Sequence, residues 1–425
     1  MMVRQKMSGF PDLTAVDKAL EKIKENIKVS IEVEEVSLGE CVGRVLAEDI
    51  ISPIDVPPFD RSAVEGYAVV SSDTFSASPT NPVELIVIGK SEAGSEPSQI
   101  PKISSGKAVE IFTGAPLPYG SDAVVMIEQT KRVGDKVLIY SQVAKWRNVS
   151  RQGEDFAKGK PLLLKGTRMK PWHIGALASA NITKVRAYRR IKVGILSTGS
   201  ELKELGEEVK VGEVVNSSKP MLTALIKERG CIPVDLGTVE DDLNKIKEKL
   251  RIGLEVCDIV VTTGGTSLGE KDLVPDAIQQ LGSPGLIVHG VAMRPAKPTG
   301  AGIVDGKPIF ILSGYPVAAL VGFEVFVDEA INFLYGTKPE PKPKVKGKLT
   351  KKLATQVGYR SFVRAKVTLS PSGYLIEPLR LTGSGLLSSM TKANAMIVVE
   401  ENMEGFDEGD EVEAYLLQPI EAPLL

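Results

Sequence analysis

The spacing of apolar residues predicts helical structure at the start of the chain. Between residues 14 and 26, apolar side chains recur at helical spacing, which predicts an amphipathic helix. The following run, VEEVSLGECVGRVLAEDI, predicts a short extended segment and then another helix. Three prolines in SPIDVPPFD remove backbone donors and forbid regular structure. We therefore expect a stiff connector or an exposed binding loop there.

Short β-rich runs dominate from about residue 62 to residue 140. They are YAVV, VELIVIG, AVEIFTG, DAVVMIEQT and KVLIY, separated by glycine, proline, serine and asparagine, and they predict a separate β domain. Residues 149–186 return to mixed structure, with PWHIGALASA as a helix that has Pro171 in its first turn. We expect this piece to join the N-terminal helical stretch, because neither has enough apolar surface for its own core.

Strands and helices alternate from residue 191 to residue 334. The strand-like runs are IKVGILSTG, CIPVDLG, CDIVVTTGG and LIVHGVAM, and amphipathic helical runs separate them. This alternation indicates a parallel, doubly wound sheet covered on both faces. The strand carboxyl ends would then share one edge, where open α/β folds bind ligands. The most apolar stretch, Ile309 to Val327, is broken by glycine, proline and glutamate, so we predict a buried strand and helix rather than a membrane span.

The end of the chain is again β-rich. PEPKPKVKGK, at residues 339–348, mixes prolines with lysines and has no apolar periodicity, so it predicts a linker. Four strand-like runs follow, RSFVRAKVTL, YLIEPLR, AMIVVEE and EVEAYLL, and they predict a small β barrel or sandwich.

Composition narrows the class of protein. The 425 residues suggest about two to four compact units. With 52 Lys and Arg against 54 Asp and Glu, the net charge of −2 provides no global field to recruit nucleic acid or an anionic membrane. Three well-separated cysteines fit a reducing cytoplasm. The first residues lack the continuous apolar stretch of a signal peptide, so we expect a cytoplasmic location.

Three glycine-containing turns follow predicted parallel strands. They are STGSEL at residues 197–202, TTGGTSLGEKD at 262–272 and LSGYPVAAL at 312–320. Glycine lets backbone amides approach a phosphate closely, and a helix that starts just afterwards presents unpaired N–H groups. One such turn is weak support, but three on the same edge predict an anion site.

Charged residues on the same loops suggest a metal and an oxyanion. Glu201, Asp241, Asp242 and Asp272 follow three of the strands, and Mg²⁺ binds through carboxylates, waters and substrate phosphates. Alternatively, Asp241 or Asp242 simply caps the next helix, which the aspartate pair alone favours. In MRPAKPTG, prolines restrict a loop that carries Arg294 and Lys297, which either grips an anion or is a solvated surface loop. A further polar set on exposed loops consists of Asp60, Glu65, Thr113, Glu154 and Asp155.

Taken together, these motifs resemble one family. PPFDRSAVEGYAV, FTGAPLP, DAVVMIEQT, RQGEDF, ILSTGSEL, VVTTGGTSLGEKD, MRPAKP and LSGYPVAA occur in this order along the chain. Their combination resembles the molybdopterin molybdenumtransferases, the MoeA-type enzymes that include the gephyrin E domain. The resemblance covers essentially the whole chain.

The resemblance implies a multidomain α/β plus β fold in four parts. These are a bent helical linker domain from residues 1–52 and 147–187, an inserted β-rich domain at 53–146, a doubly wound α/β molybdopterin-binding domain at 188–337, and a C-terminal β-barrel domain at 338–425. It also implies a homodimer whose active cleft lies between the α/β domain of one subunit and the inserted domain of the other.

The implied reaction joins molybdate to the dithiolene of adenylylated molybdopterin, with Mg²⁺-dependent release of AMP. The pterin is a small-molecule substrate, and the adenylyltransferase of the same pathway is a candidate partner. By position in the motifs, the implied catalytic residues are Glu65, Thr113, Asp155, Glu201 and Asp272. The implied metal ligands are Glu201, Asp241 or Asp242, and Asp272. The implied substrate-binding residues are Asp60, Ser197, Thr198, Gly199, Gly264, Gly265, Thr266, Ser267, Arg294, Lys297, Ser313, Gly314, Pro316, Arg364, Ser388 and Ser389.

The sequence departs from the family pattern at three positions. Glu65 stands where an aspartate is usual, Arg294 where a lysine is usual, and Ala296 where a glycine is usual. Arg294 and Lys297 would hold an oxyanion, either molybdate or a phosphate. Because glutamate is one methylene longer than aspartate, the geometry of the metal or substrate could shift by about a bond length. These departures lead to the hypothesis that the chain handles tungstate.

Two other functions compete with this one. The first is adenylylation of molybdopterin, whose enzyme shares the α/β domain and the TTGGT turn but typically consists of that domain alone. The second is a gephyrin-like scaffold that clusters membrane receptors. The sequence contains neither a second catalytic domain nor a long Pro/Ser linker, so we do not expect scaffolding.

Overall fold

The structure, a computed structural model, describes residues 13–265, 273–379 and 385–420. The chain divides into two units, one formed by Met1–Glu32 and Tyr188–Leu425 and the other by Val33–Ala187. The helices are α1 (Val16–Asn26), α2 (Pro171–Ser179), α3 (Ser218–Glu228), α4 (Leu243–Val256), α5 (Leu273–Leu281), α6 (Pro316–Gly322), α7 (Asp328–Leu334) and α8 (Leu387–Lys392). A π-helical turn, Phe323–Val327, joins α6 to α7. The helices predicted near residues 14–26 and at PWHIGALASA are confirmed.

The unit at residues 33–187 is built mainly from strands. They are β1 (Val33–Ser37), β2 (Ile50–Ile51), β3 (Arg61–Ser62), β4 (Gly66–Val69), β5 (Val83–Ser91), β6 (Lys107–Ile111), β7 (Ala123–Met126), β8 (Thr130–Val133), β9 (Lys136–Ile139), β10 (Val149–Ser150), β11 (Pro161–Leu163) and β12 (Lys184–Tyr188). A six-stranded sheet has the order β7-β4-β6-β5-β9-β8. All five predicted runs lie in it. The unpredicted β8 is largely exposed and lacks the apolar alternation that marks a strand.

A second core in this unit combines two separated stretches of chain. Strand β1 pairs with β12, and β2 pairs with β11. The buried side chains of Val36 and Leu46 pack with Met169 and Leu177. The helix predicted after the first extended segment is wrong, because only a 3-10 turn, Leu38–Glu40, follows β1. Backbone donors here bond across to the other stretch instead, as when the Leu46 N–H donates to the Thr167 carbonyl at 3.0 Å.

The other unit contains a six-stranded sheet flanked by helices. Its strands and those of the adjoining loops are β13 (Lys192–Thr198), β14 (Leu202–Lys203), β15 (Val214–Val215), β16 (Ile232–Val239), β17 (Ile259–Thr263), β18 (Pro284–His289), β19 (Met293–Arg294), β20 (Gly300–Val304) and β21 (Lys307–Leu312). The order is β16-β13-β17-β21-β20-β18, and the first four strands are parallel. Helix α4 packs with α5, and α3 packs with α6. The predicted α/β fold is confirmed.

One strand makes this sheet mixed rather than wholly parallel. Strand β20 runs antiparallel to both β21 and β18. A two-residue turn, Asp305 with φ 51° and Gly306 with φ 78°, reverses the chain between β20 and β21. Asp-Gly is a characteristic pair for a tight hairpin of this kind, because both positions need positive φ. Strand β18 still runs in the direction of β21, so their carboxyl ends share one edge.

The C-terminal part forms a closed barrel, as predicted. Its strands and a small adjoining ribbon are β22 (Lys344–Leu349), β23 (Leu353–Ala354), β24 (Arg360–Ser370), β25 (Gly373–Pro378), β26 (Ala395–Val399), β27 (Gly405–Phe406) and β28 (Glu411–Leu416). Pairing runs β24-β25-β22-β28-β26 and returns to β24. The linker predicted at 339–348 is wrong from Lys344 onward, where β22 begins. Its alternation was hidden because the inward positions include Gly347, and exposed lysines lie between them.

Among the described residues, no helix has the length and apolar character needed to cross a membrane.

Candidate active site

The predicted glycine turns begin side by side on one edge of the α/β sheet. The strand register pairs Ser197 of β13 with Thr263 of β17 and pairs Thr198 with Val239 of β16. Thr263 pairs in turn with Leu312 of β21. Because these four strands are parallel, the turns that follow β13, β17 and β21 lie together with the loop that follows β16. The structure therefore brings three of the predicted motifs to one place.

Glycine is required where these turns approach each other. Gly264 has φ +89°, and a Cβ there would lie 2.2 Å from the carbonyl oxygen of Thr198. Gly265 has φ +61°, and a Cβ there would lie 2.5 Å from the side chain of Val274. A Cβ on Gly314 would lie 3.6 Å from the Cα of Gly264, so the second and third turns are nearly in contact. Bare backbone at this edge can approach a phosphate closely.

The hydroxyl groups at the strand ends support the turns from inside. Ser197, Thr198 and Ser313 are buried. The Thr263 hydroxyl donates to the Ser197 hydroxyl at 3.1 Å, and the Ser313 hydroxyl accepts the Tyr315 N–H at 3.2 Å. These predicted substrate-binding side chains are thus engaged within the protein, which leaves backbone groups as the more available contacts. Pro316 is buried at the first position of α6.

The predicted metal ligands differ in what their carboxylates do. The Asp242 carboxylate accepts the N–H groups of Asn244 and Lys245 at 2.9 and 3.0 Å, which caps α4 and lowers the pKa of Asp242. The Glu201 carboxylate is exposed and folds back over its own turn, 2.8 Å from where a Cβ of Gly199 would lie. It makes no hydrogen bond or ion pair with another described residue.

The capping alternative therefore holds for Asp242, whereas Asp241 lies on the same loop at the carboxyl end of β16. Within the described ranges, no group of three or more His, Cys, Asp or Glu side chains is arranged to hold a metal. Three predicted site residues lie outside the described residues: Thr266, Ser267 and Asp272.

Loops of the β-rich unit also converge, on a surface of their own. The Ser62 N–H donates to the Ala115 carbonyl at 2.9 Å, and the Gly114 N–H donates to the Ser62 carbonyl at 2.8 Å. Strand β3 pairs with β10, and the Gln152 N–H donates to the Asp60 carboxylate at 2.7 Å. The motifs FDRSAVEG, FTGAP and RQGED thus form one loop cluster. Asp60, predicted to bind substrate, holds two of these loops together.

Three predicted catalytic side chains remain available on this loop cluster. Glu65, Thr113 and Asp155 are exposed, and none of their side chains bonds to another described residue. Glu154 behaves differently, because its carboxylate accepts the Ser150 hydroxyl and the Arg151 N–H, which lowers its pKa. Of the two adjacent acids, Glu154 therefore builds the turn and Asp155 is presented to solvent.

The basic loop follows β18, whose carboxyl end shares the sheet edge with β21. Arg294 is exposed, and its guanidinium lies over the ring of Tyr359 at 4.6 Å from the centroid. The Lys297 carbonyl accepts the Val291 N–H at 2.9 Å. Ala296, between the two cations, has φ 82°, a conformation that favours glycine. The loop is thus held by its backbone and by one cation–π contact with the C-terminal part.

The predicted residues of the C-terminal barrel meet at its wall. Arg364 is buried in β24, and its Nε donates to the Ser389 hydroxyl at 3.2 Å. Burial lowers the pKa of Arg364 from its ordinary value. Ser389 lies on α8, and Ser388 beside it is exposed.

Two buried polar residues near the glycine turns were missed by sequence reasoning. The Ser218 hydroxyl donates to the Gly314 carbonyl at 3.0 Å and so fixes the third turn. Asn216 is also buried, and its amide donates to the Thr238 hydroxyl at 3.3 Å. The only signal was the polar run NSSKP in front of α3, which resembles an ordinary helix start.

Comparisons with known proteins agree over nearly the whole chain. Family models match for the MoeA N-terminal region (domain I and II) at residues 14–181, a probable molybdopterin binding domain at 194–332, and the MoeA C-terminal region (domain IV) at 346–417. A molybdopterin biosynthesis protein of Methanocaldococcus jannaschii is 40% identical over 94% of this chain and 96% of its own length. The molybdopterin molybdenumtransferase of Staphylococcus epidermidis is 36% identical over 94% of this chain and 95% of its own length.

A crystal structure of the molybdopterin biosynthesis moeA protein from Pyrococcus horikoshii is also similar. It has a TM-score of 0.82 and 36% identity, and the match covers 95% of this chain and 100% of that one. These matches span both units and the barrel. The chain belongs to the MoeA family, the molybdopterin molybdenumtransferases of molybdenum cofactor biosynthesis.

Proposed function

We propose that this chain inserts molybdate into adenylylated molybdopterin, with Mg²⁺-dependent release of AMP. The observation that carries the proposal is the sheet edge where Gly264 and Gly314 nearly touch. The exposed carboxylate of Glu201, which bonds to no other described residue, lies at the same edge. Bare backbone suits a phosphate group, and a nearby carboxylate suits a metal that binds the same phosphate.

Exposed carboxylates beside bare backbone support the proposal of Mg²⁺ at this edge. The ion usually takes one or two carboxylates and completes its octahedron with water and substrate phosphates. Glu201 and Asp241 would hold it, with Asp272 as a third candidate, while Asp242 is engaged in capping α4. When bound, Mg²⁺ would neutralise charge that develops on the phosphoanhydride. The chain's own residues would orient the adenylate and exclude water around it.

The cations and the barrel residues would hold the remaining oxyanions. Arg294 and Lys297 carry positive charge on a loop whose backbone is held by hydrogen bonds, and the buried Arg364 beside Ser389 would add a second cation behind the barrel wall. In a cleft that excludes water, such preorganised donors stabilise negative charge far better than solvent does. We propose that either molybdate or a phosphate is held by these groups.

The loop cluster of the β-rich unit would complete the site. Glu65, Thr113 and Asp155 are exposed and uncommitted, which suits residues that act on a partner's substrate. We therefore propose a homodimer in which this cluster faces the α/β sheet edge of the other subunit. The same proposal includes four domains, at residues 1–52 with 147–187, 53–146, 188–337 and 338–425. It also includes a cytoplasmic location and transfer of the substrate from the adenylyltransferase of the pathway.

The test is AMP release from adenylylated molybdopterin by purified protein with molybdate and Mg²⁺. Glu201→Gln should raise the Mg²⁺ concentration needed for half-maximal release by about tenfold or more, because even outer-shell partners of a metal typically contribute about 10- to 100-fold. Glu208→Gln, at an exposed glutamate seven positions further along the chain, is the matched control. Unchanged Mg²⁺ dependence in Glu201→Gln would refute the metal assignment.

Oxyanion choice is tested in the same assay. We propose that the departures at Glu65, Arg294 and Ala296 make the site prefer tungstate over molybdate. Tungstate turnover should then exceed that of molybdate, and Arg294→Lys should reduce the difference. Comparable turnover of the two, or a preference for molybdate, would count against this idea.

A further inference from the structure

Tyr315 is an exposed aromatic residue at the glycine edge. It follows Ser313 and Gly314 at the end of β21 and immediately precedes α6, and its side chain is 63% exposed. Its backbone N–H is held by the Ser313 hydroxyl at 3.2 Å. The backbone that carries the ring is therefore fixed, although the ring itself faces solvent.

The ring lies between the α/β sheet edge and the barrel residues predicted to bind substrate. A Cβ on Gly385 would lie 3.1 Å from Cδ1 of Tyr315 and 3.5 Å from Cε1, so one edge of the ring lies close to the backbone of Gly385 and leaves little room for a side chain there. Gly385 lies just before α8, which carries Ser389 and through it contacts Arg364. The ring thus borders both groups of predicted substrate contacts.

Packing does not account for this tyrosine. Tyr335 and Tyr415 are mostly buried, and each hydroxyl makes a hydrogen bond: that of Tyr335 accepts the Ile191 N–H at 3.1 Å, and that of Tyr415 contacts the Met396 sulfur at 2.9 Å. The Tyr315 hydroxyl bonds to no other described residue. A largely exposed ring on a fixed backbone, beside the glycine turns, is suited to stacking.

We propose that Tyr315 is the platform on which a planar heteroaromatic ring of the substrate stacks, either the adenine or the pterin. The assignment rests on the proposed function, because that function brings both rings to this edge. The glycine turns would take the phosphate while Tyr315 takes a ring face, so charge and shape are recognised by adjacent groups. Stacking on a tyrosine is tolerant of ring identity because every base has a π face.

The experiment measures equilibrium binding of AMP and, separately, of molybdopterin by calorimetry. Tyr315→Ala should weaken binding of the ligand whose ring stacks by about 5- to 150-fold, the range measured for one base on an aromatic side chain. Tyr315→Phe should restore binding to within about twofold, because the ring and not the hydroxyl acts. Tyr119→Ala, at a tyrosine that is 78% exposed in the other unit, is the matched control and should change nothing.

A second variant protects the test against misfolding of Tyr315→Ala. Gly385→Val keeps the tyrosine but adds a side chain whose Cβ would lie 3.1 Å from the ring, so the ring must move and binding of the same ligand should weaken. If Tyr315→Ala and Gly385→Val both bind AMP and molybdopterin within twofold of wild type, the inference is overturned. Failure of the proposed reaction would give a different result: the wild-type protein would bind the ligands but would not release AMP from the adenylylated pterin.

Discussion

Gly264→Ala tests whether the turns at the sheet edge are as close as the structure shows. The substitution adds one methyl group, which would lie 2.2 Å from the Thr198 carbonyl oxygen. Backbone cannot yield as a flexible side chain does, so the second turn must move by about 1 Å to reach an ordinary contact. The residue must also keep φ +89°, which an L side chain rarely adopts.

The expected loss of stability has two parts. Left-handed backbone for a residue with a Cβ costs about 1–2 kcal/mol. Forcing an extra methyl group into filled space typically costs about 1–3 kcal/mol more. We therefore expect Gly264→Ala to lower the free energy of unfolding of its unit by about 2–5 kcal/mol. AMP binding should also weaken, because the displaced backbone is the surface proposed to meet the phosphate.

Variants at two other glycines, one in β16 and one in the turn after β21, separate the backbone cost from the crowding cost. Gly237 has φ +90° but no heavy atom within 4 Å of an added Cβ, so Gly237→Ala should cost only the backbone part, about 1–2 kcal/mol. Gly314 lies outside the left-handed region, and its added Cβ would make an ordinary 3.6 Å contact. Gly314→Ala should therefore change stability by less than about 1 kcal/mol.

The assay is urea unfolding followed by circular dichroism, with the three variants measured alongside wild type. Fluorescence of Trp146 and Trp172, which both lie in the other unit, should show the same midpoint in all four proteins for that unit. The order of stability should be Gly314→Ala, then Gly237→Ala, then Gly264→Ala. A loss in Gly264→Ala no larger than that in Gly237→Ala would mean that the carbonyl of Thr198 does not crowd this turn. The reasoning about the edge would then be refuted.

Three further predictions concern single contacts. Asp258→Asn should destabilise by about 3 kcal/mol, because the amide keeps only one of the two oxygens that accept from Arg189 at 2.8 Å and leaves the guanidinium without its opposite charge. Burial raises the pKa of Asp258, but the hydrogen bonds from Arg189 and the backbone outweigh burial, so the pKa is lowered overall. The stabilisation is therefore complete above about pH 4 and is lost as the pH falls through the lowered native pKa. In the variant, the urea midpoint should depend less on pH over this range. Ala296→Gly should raise the free energy of unfolding by up to about 1 kcal/mol, because glycine relieves the φ of 82°, whereas Ala301→Gly inside β20 should lower it; the melting temperatures of the two variants should shift in opposite directions. Asp242→Ala should cost about 0.5–2 kcal/mol in urea unfolding as a lost helix cap, and an altered Mg²⁺ requirement for AMP release would contradict the capping role.

Elements with a clear apolar period were predictable from the sequence. The amphipathic run of α4 and the continuous apolar run of β17 both appear where the pattern placed them. The errors occur where periodicity is masked or overridden. In β22, inward glycine and outward lysine conceal the alternation, and in β20 the hairpin depends on the two residues Asp305 and Gly306 rather than on the strand itself.

The sequence predicted which loops form the candidate site, but not which of their side chains form hydrogen bonds within the protein. The sequence indicates that Asp241 and Asp242 follow one strand, but only the structure shows that the Asp242 carboxylate caps α4. In the same way, Glu154 and Asp155 are adjacent acids that the sequence pattern does not distinguish. In the structure, the Glu154 carboxylate accepts hydrogen bonds from Ser150 and Arg151, whereas the Asp155 side chain is exposed. The place of Tyr315 could not be predicted, because its ring lies close to Gly385, which is 70 positions further along the chain.

The two chain crossings between the units lie side by side. The chain leaves the first unit after Glu32 and returns at Tyr188, and the Arg189 N–H donates to the Glu32 carbonyl at 2.9 Å. Segments whose ends nearly touch can be removed with little penalty in chain closure. A short glycine linker that replaces residues 33–187 should therefore leave the sheet and barrel able to fold. Such a truncated protein would allow ligand binding at the glycine edge to be studied by itself.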